Sequence, residues 1–359
     1  MSGKKKIYKY KTLANVAVRL RDDLNNHNFV LLYAYNGTGK TRLSMEFKNK
    51  SKKRKKNPLT DTIYYNAYTE DLFHWNNDLE NDSDRHLIIN SNSRFFEGFR
   101  ELALEEKIFN YLKRYADFDF RIDYDNWTIT FTKGEQHNIK VSRGEENIFI
   151  WCIFLAICEL AIDDEGTGPY GWVKYIYIDD PISSLDDNNA ICVASDLAKL
   201  LKRGKSKIKA VISSHHSLFY NVMYNELKKI EHKSHFLYKN GADGYNLRTT
   251  DDTPFFHHVA SLSELKRIAD TGNINTFHFN MLRSILEKTS TFFGFDDFSS
   301  CINGVEDEVL FSRALNLLSH GDYSIYHPVE MNEDNKNLFK RILKAFLEKY
   351  EFQLSEIFE

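Results

Sequence analysis

The sequence predicts an α/β protein with a mixed, mostly parallel sheet flanked by helices, followed by an all-α domain. Between about residues 28 and 240, short apolar runs suited to buried strands alternate with helical segments, which is the rhythm of a parallel sheet with crossover helices. After about Thr250, strand-like runs stop and apolar residues recur at helical spacing. We therefore predict one domain over residues 1–250 and a helical domain over residues 251–359.

Composition indicates a globular, cytoplasmic protein. Hydrophobic residues make up 42% of the 359 residues, enough to bury one large core or two smaller ones. The four cysteines are far apart in sequence, which argues against a disulfide framework or a zinc site. The longest apolar run, residues 148–162, is too short for a bilayer, and the basic start lacks the apolar segment of a secretory signal. Because the net charge is −3, any nucleic-acid contact has to come from local basic patches.

The predicted elements follow one another at short intervals. An apolar strand at Phe29–Tyr33 leads into a turn and a helix that starts near Gly39. The lysine-rich residues 48–56 are interpreted as a solvated loop before a strand at residues 62–66, and helical segments are expected from there to about Tyr115. The next elements are a hairpin at residues 118–132, a helix at 146–162, a strand at 175–178, a helix at 188–202 and a strand at 208–213. Later helices are expected around Leu262, Phe277, Leu310 and Leu338.

Residues 34–41 fit the phosphate-binding pattern G-x-x-x-x-G-K-[ST], except that Ala34 replaces the first glycine. In such a P-loop the glycines let backbone amides surround the phosphates, the lysine reaches the outer phosphates and the hydroxyl ligates Mg²⁺. A predicted strand precedes the segment and a predicted helix follows it; the alternative is a chance glycine-rich turn. The residues predicted to bind ATP or GTP are Asn36, Gly37, Thr38, Gly39, Lys40 and Thr41, with Thr41 also a metal ligand.

Two aspartates follow the predicted strand at residues 175–178. Asp179 is positioned to hold Mg²⁺, directly or through water, and Asp180 to orient the attacking water as a base. The alternative is an ordinary acidic loop opening.

The turn at residues 141–146, Val-Ser-Arg-Gly-Glu-Glu, stands just before the long apolar helix. Its serine hydroxyl, glycine amide and helix N-terminus together suit a γ-phosphate. Ser142, Gly144 and Glu145 are therefore predicted nucleotide contacts. The alternative is a serine N-cap with Glu145 as its capping-box partner.

Taken in chain order, these segments resemble the P-loop, the signature turn and the acidic strand end of ABC-type ATPases. Residues 181–186 are similar to the D-loop of that family, and His215 stands at the end of the next strand where the family carries its switch histidine. The resemblance implies a homodimer, because the signature of one ABC subunit completes the nucleotide site of another. Asp180 replaces the usual glutamate, which puts the hydrolysis rate in question. The Q-loop residue is open, with Glu70 and Asp71 as candidates.

Three residues of the second domain form a candidate ribonuclease site. Arg283 and Glu287 are one turn apart on a predicted helix, and His320 ends another helix. Arginine can stabilise phosphorane charge, while glutamate and histidine can exchange protons with a ribose 2′-hydroxyl and a leaving 5′-oxygen, which suits metal-independent RNA cleavage. The alternatives are an i, i+4 ion pair and a histidine cap.

The whole chain resembles the bacterial PrrC and RloC anticodon nucleases. The resemblance rests on residues 179–186, the doubled histidine at 215 and 216, and a helical tail after a compact ATPase half. Those enzymes carry Arg-x-x-x-Glu and a distant histidine, which correspond here to the three candidate nuclease residues. Arg313 with His320 also fits the R-x(4–6)-H pattern of HEPN ribonucleases, so the arginine is not settled.

The resemblance implies a toxic antiviral effector, in which ATP or GTP with Mg²⁺ gates cleavage of a tRNA substrate in the anticodon loop. It also implies a homodimer or higher oligomer, associated with a restriction-modification or other defence complex. The alternative is a regulatory ABC-type ATPase of a defence or repair system that controls a separate effector or DNA. A transporter subunit is disfavoured because the tail has no counterpart there.

Overall fold

The structure is a computed structural model, and its contacts divide the chain into two compact units. The first comprises Met1–Ala34, Gly39–Tyr238 and Gly244–Asp251, and the second Tyr35–Thr38, Lys239–Asp243 and Asp252–Glu359. The residues described are 7–54, 60–66, 69, 71–77, 85–96, 99–100, 104–181, 187–239, 244–251, 257–302 and 331–350.

The described residues form eleven strands and nine α-helices. The strands are β1 (Ile7–Tyr10), β2 (Phe29–Tyr33), β3 (Thr62–Tyr65), β4 (Phe73–Asn76), β5 (His86–Ile89), β6 (Asp119–Asp123), β7 (Thr128–Thr132), β8 (Tyr175–Asp179), β9 (Lys209–Ser214), β10 (His232–Lys239) and β11 (Tyr245–Thr249). The helices are α1 (Leu13–Asn26), α2 (Lys40–Arg54), α3 (Glu105–Leu112), α4 (Arg143–Asp163), α5 (Asp187–Gly204), α6 (Ser217–Leu227), α7 (His257–Thr271), α8 (Thr276–Phe293) and α9 (Glu333–Lys349).

The main sheet has seven strands in the order β1-β11-β10-β2-β9-β8-β3. From β10 to β3 the neighbours are parallel, while β1 is antiparallel to β11. Val30 and Leu32 of β2 join the core cluster beneath α1 and α2. The ring of Tyr33, also in β2, packs against Tyr220 of α6 with centroids 5.5 Å apart. Helices therefore cover β2 on both faces, as an all-apolar parallel strand requires, and the predicted α/β fold is confirmed.

Arg21 is a buried cation that ties α1 to the residue before β3. It donates hydrogen bonds to Asp61 Oδ1 at 2.9 Å and to the carbonyl of Phe47 at 2.8 Å. Its guanidinium also lies over the rings of Phe47 and Tyr175, at 4.3 and 4.7 Å from the centroids. A cation that is only 6% exposed is tolerated in a protein interior because such partners replace its water.

We expect Arg21→Met to lower the free energy of unfolding by about 3–5 kcal/mol, because the substitution leaves Asp61 without its partner. The matched control is Arg100→Met, whose ion pair with Asp125 is exposed on both sides, at 57% and 79%. A pair of that kind contributes at most about 1 kcal/mol. Chemical denaturation measures both variants, and equal losses would contradict the importance of the buried pair.

A second, antiparallel sheet has the order β4-β5-β7-β6. The hairpin predicted at residues 118–132 is present as β6 and β7, with Phe120 opposite Phe131. Strands β4 and β5 occupy part of the region where helices were expected, so that prediction is wrong there. Each has four residues, too few to show a period. The pairing of β4 with β5, and of β5 with β7, selects the extended conformation.

The prediction of a solvated loop at residues 48–56 is also wrong for residues 48–54, the part that the structure describes, because α2 continues to Arg54. Lys48 lies on this helix with its ammonium 4.1 Å from the ring centroid of Tyr64. Lysine is a good helix former, so a run of lysines does not by itself end a helix.

In the second unit, α7, α8 and α9 surround buried apolar side chains. Phe279 of α8 and Phe339 of α9 meet edge to face with centroids 5.1 Å apart, and both are fully buried. Helices expected around Leu262, Phe277 and Leu338 are present, while the one expected around Leu310 lies outside the described residues. None of the helices in the described ranges combines the length and the hydropathy that a membrane span requires.

Candidate functional site

The P-loop links the end of β2 to the start of α2. Gly37 and Gly39 have φ values of 75° and 101°, a left-handed conformation that favours glycine. A Cβ added at Gly39 would also approach Leu13 Cδ1 at 3.1 Å. Ala34 is not among the residues with positive φ, so alanine replaces the first glycine of the motif without backbone strain.

The predicted lysine, threonine and aspartates converge at the carboxyl ends of the parallel strands. Thr41 Oγ1 donates a hydrogen bond of 2.8 Å to Asp179 Oδ2. Lys40 Nζ lies 2.9 Å from Asp180 Oδ2. Asp179 and Lys40 are only 4% and 6% exposed. Water therefore screens the interactions of the Lys40 ammonium with the two carboxylates only weakly.

Ser213 also belongs to this cluster, although it was not among the residues predicted for the metal site. In the pairing of β8 with β9 it stands directly opposite Asp179. Its hydroxyl donates a 2.7 Å hydrogen bond to Asp179 Oδ1. The signal that could have found it is the alignment of two predicted parallel strands, which puts the serine at the end of one beside the aspartate at the end of the other.

His215 holds Asp180 from the other side. Its backbone N–H donates to Asp180 Oδ1 at 2.9 Å, and its ring Nδ1 lies 2.9 Å from the same oxygen. Asp180 has a φ of 47°, a conformation that costs a non-glycine residue about 1–3 kcal/mol and is common at functional sites. The hydrogen bond from its N–H to the Ser213 carbonyl, 2.9 Å long, helps to maintain it.

The two adjacent carboxyl groups have opposite pKa shifts. Burial raises the pKa of Asp179, and the neighbouring Asp180 charge raises it further. Burial acts in the same direction on Asp180, but His215 and Lys40 outweigh it and lower the pKa of that group. Asp180 therefore ionises at a lower pH than Asp179 does, and a cation bound at Asp179 would favour the ionised form there as well.

The residues present fit Mg²⁺ and a triphosphate. The carboxylate of Asp179 and the hydroxyl of Thr41 are hard oxygen ligands of the kind Mg²⁺ prefers, and they already touch each other. The Thr38 hydroxyl in the P-loop is buried without a hydrogen-bond partner in the described part of the chain. A buried orphan donor is unusual in a folded protein, and an anionic ligand would satisfy it.

The signature turn caps helix α4. Ser142 N–H donates to Glu145 Oε2 at 2.8 Å, and Glu145 N–H donates to Ser142 Oγ at 3.3 Å. The capping box weighed as the alternative is thus present. Each side chain accepts from the backbone N–H of the other residue, and across the described residues neither hydrogen-bonds to the P-loop. Ser142 is exposed, while Gly144 and Glu145 are half-buried, so the turn is accessible to another molecule.

Several predicted residues have no place in this cluster. Residues 182–186 of the D-loop-like segment and Glu70 lie outside the described residues. Asp71 is an exposed residue of a turn, and no contact within the described ranges supports a Q-loop role for it. Asn36 belongs to the P-loop segment that groups with the second unit.

Within the second unit, Tyr35 connects the P-loop segment to α7. Its hydroxyl hydrogen-bonds to the hydroxyl of Ser261. Both side chains are buried.

Arg283 and Glu287 contact each other on α8. Arg283 Nε donates a 2.7 Å hydrogen bond to Glu287 Oε1, and its guanidinium lies 5.3 Å from the ring centroid of Phe298. The i, i+4 ion pair weighed as the alternative is therefore present. The side chains are 18% and 48% exposed, so the pair is accessible to a ligand. His320 and Arg313 lie outside the described residues.

Comparison with known proteins identifies the family. A family model described as "AAA domain" matches residues 100–348. The anticodon nuclease of Escherichia coli is 32% identical over 347 residues, which cover 87% of this chain and 87% of that protein.

An SMC head bound to the C-winged helix domain of ScpA has a TM-score of 0.35 at 10% identity, over 62% of this chain and 90% of that chain. The SMC head domain from Thermotoga maritima has a TM-score of 0.28 at 12% identity, over 60% and 88%. Both structural scores are too low to support an argument. The family match and the identity to the nuclease do suffice: the chain belongs to the AAA domain family and to the PrrC-like ATPase group of the Escherichia coli anticodon nuclease.

Proposed function

We propose that this protein is a nucleotide-gated anticodon nuclease acting in the cytoplasm. Its P-loop binds ATP or GTP with Mg²⁺ in a homodimer, and its helical unit cleaves tRNA in the anticodon loop. The observation that supports this most directly is the 32% identity to an anticodon nuclease over 87% of both chains. A relative that matched only the ATPase half would support nucleotide binding alone.

In the nucleotide site, each described side chain has a separate task. Lys40 exchanges its contact with Asp180 for the outer phosphates, while Thr41 and Asp179 hold Mg²⁺. Mg²⁺, when bound, would neutralise negative charge that develops on the phosphates. Asp180, released by Lys40 and still anchored by His215, orients the attacking water. The shorter aspartate reaches less far than glutamate would, so we expect slow hydrolysis, as suits a switch.

The exposed signature turn of one chain completes the site of its partner in this proposal. We expect Asp180→Asn protein to bind ATP, hydrolyse it poorly and accumulate as a dimer, because the base is lost while Lys40 and Thr41 remain. Adding Ser142→Arg should return the dimer to monomer, since a long cation replaces the hydroxyl at the phosphate. Sedimentation velocity with and without ATP measures both states.

A second variant controls for the loss of the helix N-cap in Ser142→Arg. Ser142→Asp keeps a good N-cap but places a negative charge toward the partner's phosphate, so it should also prevent the dimer while leaving the thermal stability of the monomer unchanged. If dimers persist in both Ser142 variants, the signature turn does not complete the partner site.

In the nuclease site, we assign Glu287 as the base that takes the proton of the ribose 2′-hydroxyl, whose oxygen then attacks the adjacent phosphorus. His320 donates a proton to the leaving 5′-oxygen, and Arg283 stabilises the charge of the phosphorane. The products are a 2′,3′-cyclic phosphate and a free 5′-hydroxyl. None of these steps uses a metal ion.

The direct experiment incubates purified protein with total tRNA and sequences the RNA ends, with ATP, GTP or neither present. We expect cuts confined to the anticodon loop and dependent on nucleotide. Intact tRNA under every nucleotide condition would reject the nuclease and favour the regulatory ATPase, in which Arg283 and Glu287 form only the intrahelical ion pair.

A further inference from the structure

The second unit exposes a group of aromatic rings at the end of α8. Phe292, Phe293 and Phe295 are 84%, 52% and 38% exposed. The ring of Phe293 stacks on Phe295 with centroids 5.8 Å apart and on Tyr350 with centroids 5.2 Å apart. The interplanar angles are 18° and 30°. We call Phe292, Phe293, Phe295 and Tyr350 the aromatic ladder.

The helix that leads to Tyr350 supplies positive charge beside the ladder. Residues 340–349 of α9 contain four cations and a single carboxylate. Lys349 Nζ lies 5.9 Å from the ring centroid of Tyr350, and the Lys344 side chain is 76% exposed. The four cations, Lys340, Arg341, Lys344 and Lys349, are all on exposed residues.

This combination favours a nucleic acid over a protein as the occupant. The buried centre of a protein interface is enriched in aromatic residues but depleted of lysine. Single-stranded nucleic acid binds instead where exposed rings stack on bases and nearby cations attract the phosphates. A molecule with a net charge of −3 has no general attraction for RNA, so a local group of cations next to exposed rings marks a specific surface.

The ladder is also connected to the candidate nuclease pair. The chain turns back after Phe295, and Phe298 packs beneath the guanidinium of Arg283 at 5.3 Å. Phe293 and Arg283 are ten residues apart on α8, about 15 Å along the axis. Stacked nucleotides rise by about 3.4 Å each, so the offset corresponds to roughly four nucleotides of an unpaired strand.

We propose that the aromatic ladder binds unpaired bases of the RNA substrate by stacking, a few nucleotides from the phosphate held at Arg283, while the α9 cations hold the RNA backbone. The inference rests on the proposed function, because it assigns this surface to the substrate of that nuclease. It predicts affinity that depends on bases as well as on charge.

The test uses two fluorescent probes of equal length, 2′-O-methyl oligoadenylate and an abasic oligomer of 2′-O-methyl ribose phosphate. Neither probe has a free 2′-hydroxyl, so neither can be cleaved by the proposed reaction, and the two differ only in the bases. For the full chain, anisotropy should show tighter binding of oligoadenylate. Phe292→Ala should weaken that binding at least about fivefold, the lower limit for one stacked base, and leave the abasic probe unaffected.

Matched variants keep the result specific. Phe292→Trp should retain binding, and Phe109→Ala, which removes a 43% exposed ring from α3 in the other unit, should change nothing. Lys344→Gln should weaken both probes equally. Because Phe292 is so exposed, its removal should leave thermal unfolding unchanged.

Three outcomes would overturn the inference. The first is equal oligoadenylate affinity with and without Phe292. The second is a loss of dimer, rather than of RNA affinity, in Phe292→Ala. The third is that Phe292→Ala has an effect only after residues 351–359 are removed, which would assign the ladder to the chain's own C-terminus. Intact tRNA with retained base-dependent binding would reject only the nuclease, whereas equal tRNA cleavage and affinity in Phe292→Ala would reject only the ladder.

Discussion

Replacing Lys40 with alanine is expected to lower the rate of nucleotide hydrolysis by about 100- to 1,000-fold, the usual effect of removing a charged group that stabilises a transition state. In the proposed function, Lys40 exchanges Asp180 for the outer phosphates, and it is only 6% exposed, so water screens its charge weakly. The same variant should change toxicity in cells if nucleotide gates the proposed nuclease. Phosphate release and colony counts after induction measure the two effects.

Lys48→Ala is the matched control, since Lys48 is a second lysine of α2 that lies over the Tyr64 ring and has no role in the site. It should leave hydrolysis and toxicity unchanged. Loss of hydrolysis in Lys40→Ala with toxicity unchanged would refute the gating, because two coupled sites must respond to each other's ligand. The bond between Tyr35 and Ser261 is the contact through which we expect the coupling to act.

Arg283→Ala and Glu287→Gln should each lower tRNA cleavage by about 10²- to 10⁴-fold, the range for one acid–base or charge-stabilising group. Arg283→Ala removes the donor of the 2.7 Å hydrogen bond to Glu287, whereas Glu287→Gln removes the carboxylate that acts as the proposed base. Nucleotide hydrolysis should stay at the wild-type rate, because neither residue belongs to the P-loop cluster. Single-turnover cleavage of an anticodon stem–loop measures the loss.

The matched control is Arg267→Ala, which breaks a second Arg–Glu pair in the same unit. Arg267 Nε donates to Glu264 Oε2 at 2.9 Å on α7. This pair has a spacing of three residues instead of four, and it has no proposed catalytic part. If Arg267→Ala and Arg283→Ala reduce cleavage equally, the Arg283 pair is an ordinary ion pair. His320→Ala should match the Arg283 variant, and a wild-type rate would remove the histidine from the mechanism.

Motifs in which neighbouring residues act together were predictable from the sequence. The P-loop occupies one strand, turn and helix, so Gly37, Gly39 and Lys40 could be assigned from their order alone. The capping box of Ser142 and Glu145 and the contact between Arg283 and Glu287 follow from helix spacing of three and four residues. The long apolar helix α4 was visible because its buried residues surround it on all sides.

Elements that depend on distant partners were missed or wrong. Strands β4 and β5 were expected to be helical, since four residues carry too little pattern until β4 pairs with β5 and β5 with β7. The lysines at the end of α2 suggested a loop, yet the helix continues through them to Arg54. In both places the local composition was ambiguous, and contacts with the rest of the fold selected the conformation.

What the sequence determined by itself is the chemistry: a lysine and a threonine that follow one strand, two aspartates that follow another, and a guanidinium one helical turn from a carboxylate. Only the tertiary structure decided how these groups meet. The register of β8 against β9 places Ser213 opposite Asp179. The left-handed backbone at Asp180 directs its carboxylate toward Lys40 and His215. The fold of the second unit stacks Tyr350 on Phe293. The reason is physical: helix and turn geometry are set by neighbours in the chain, whereas strand register and side-chain stacking are set by packing between segments that are far apart in it.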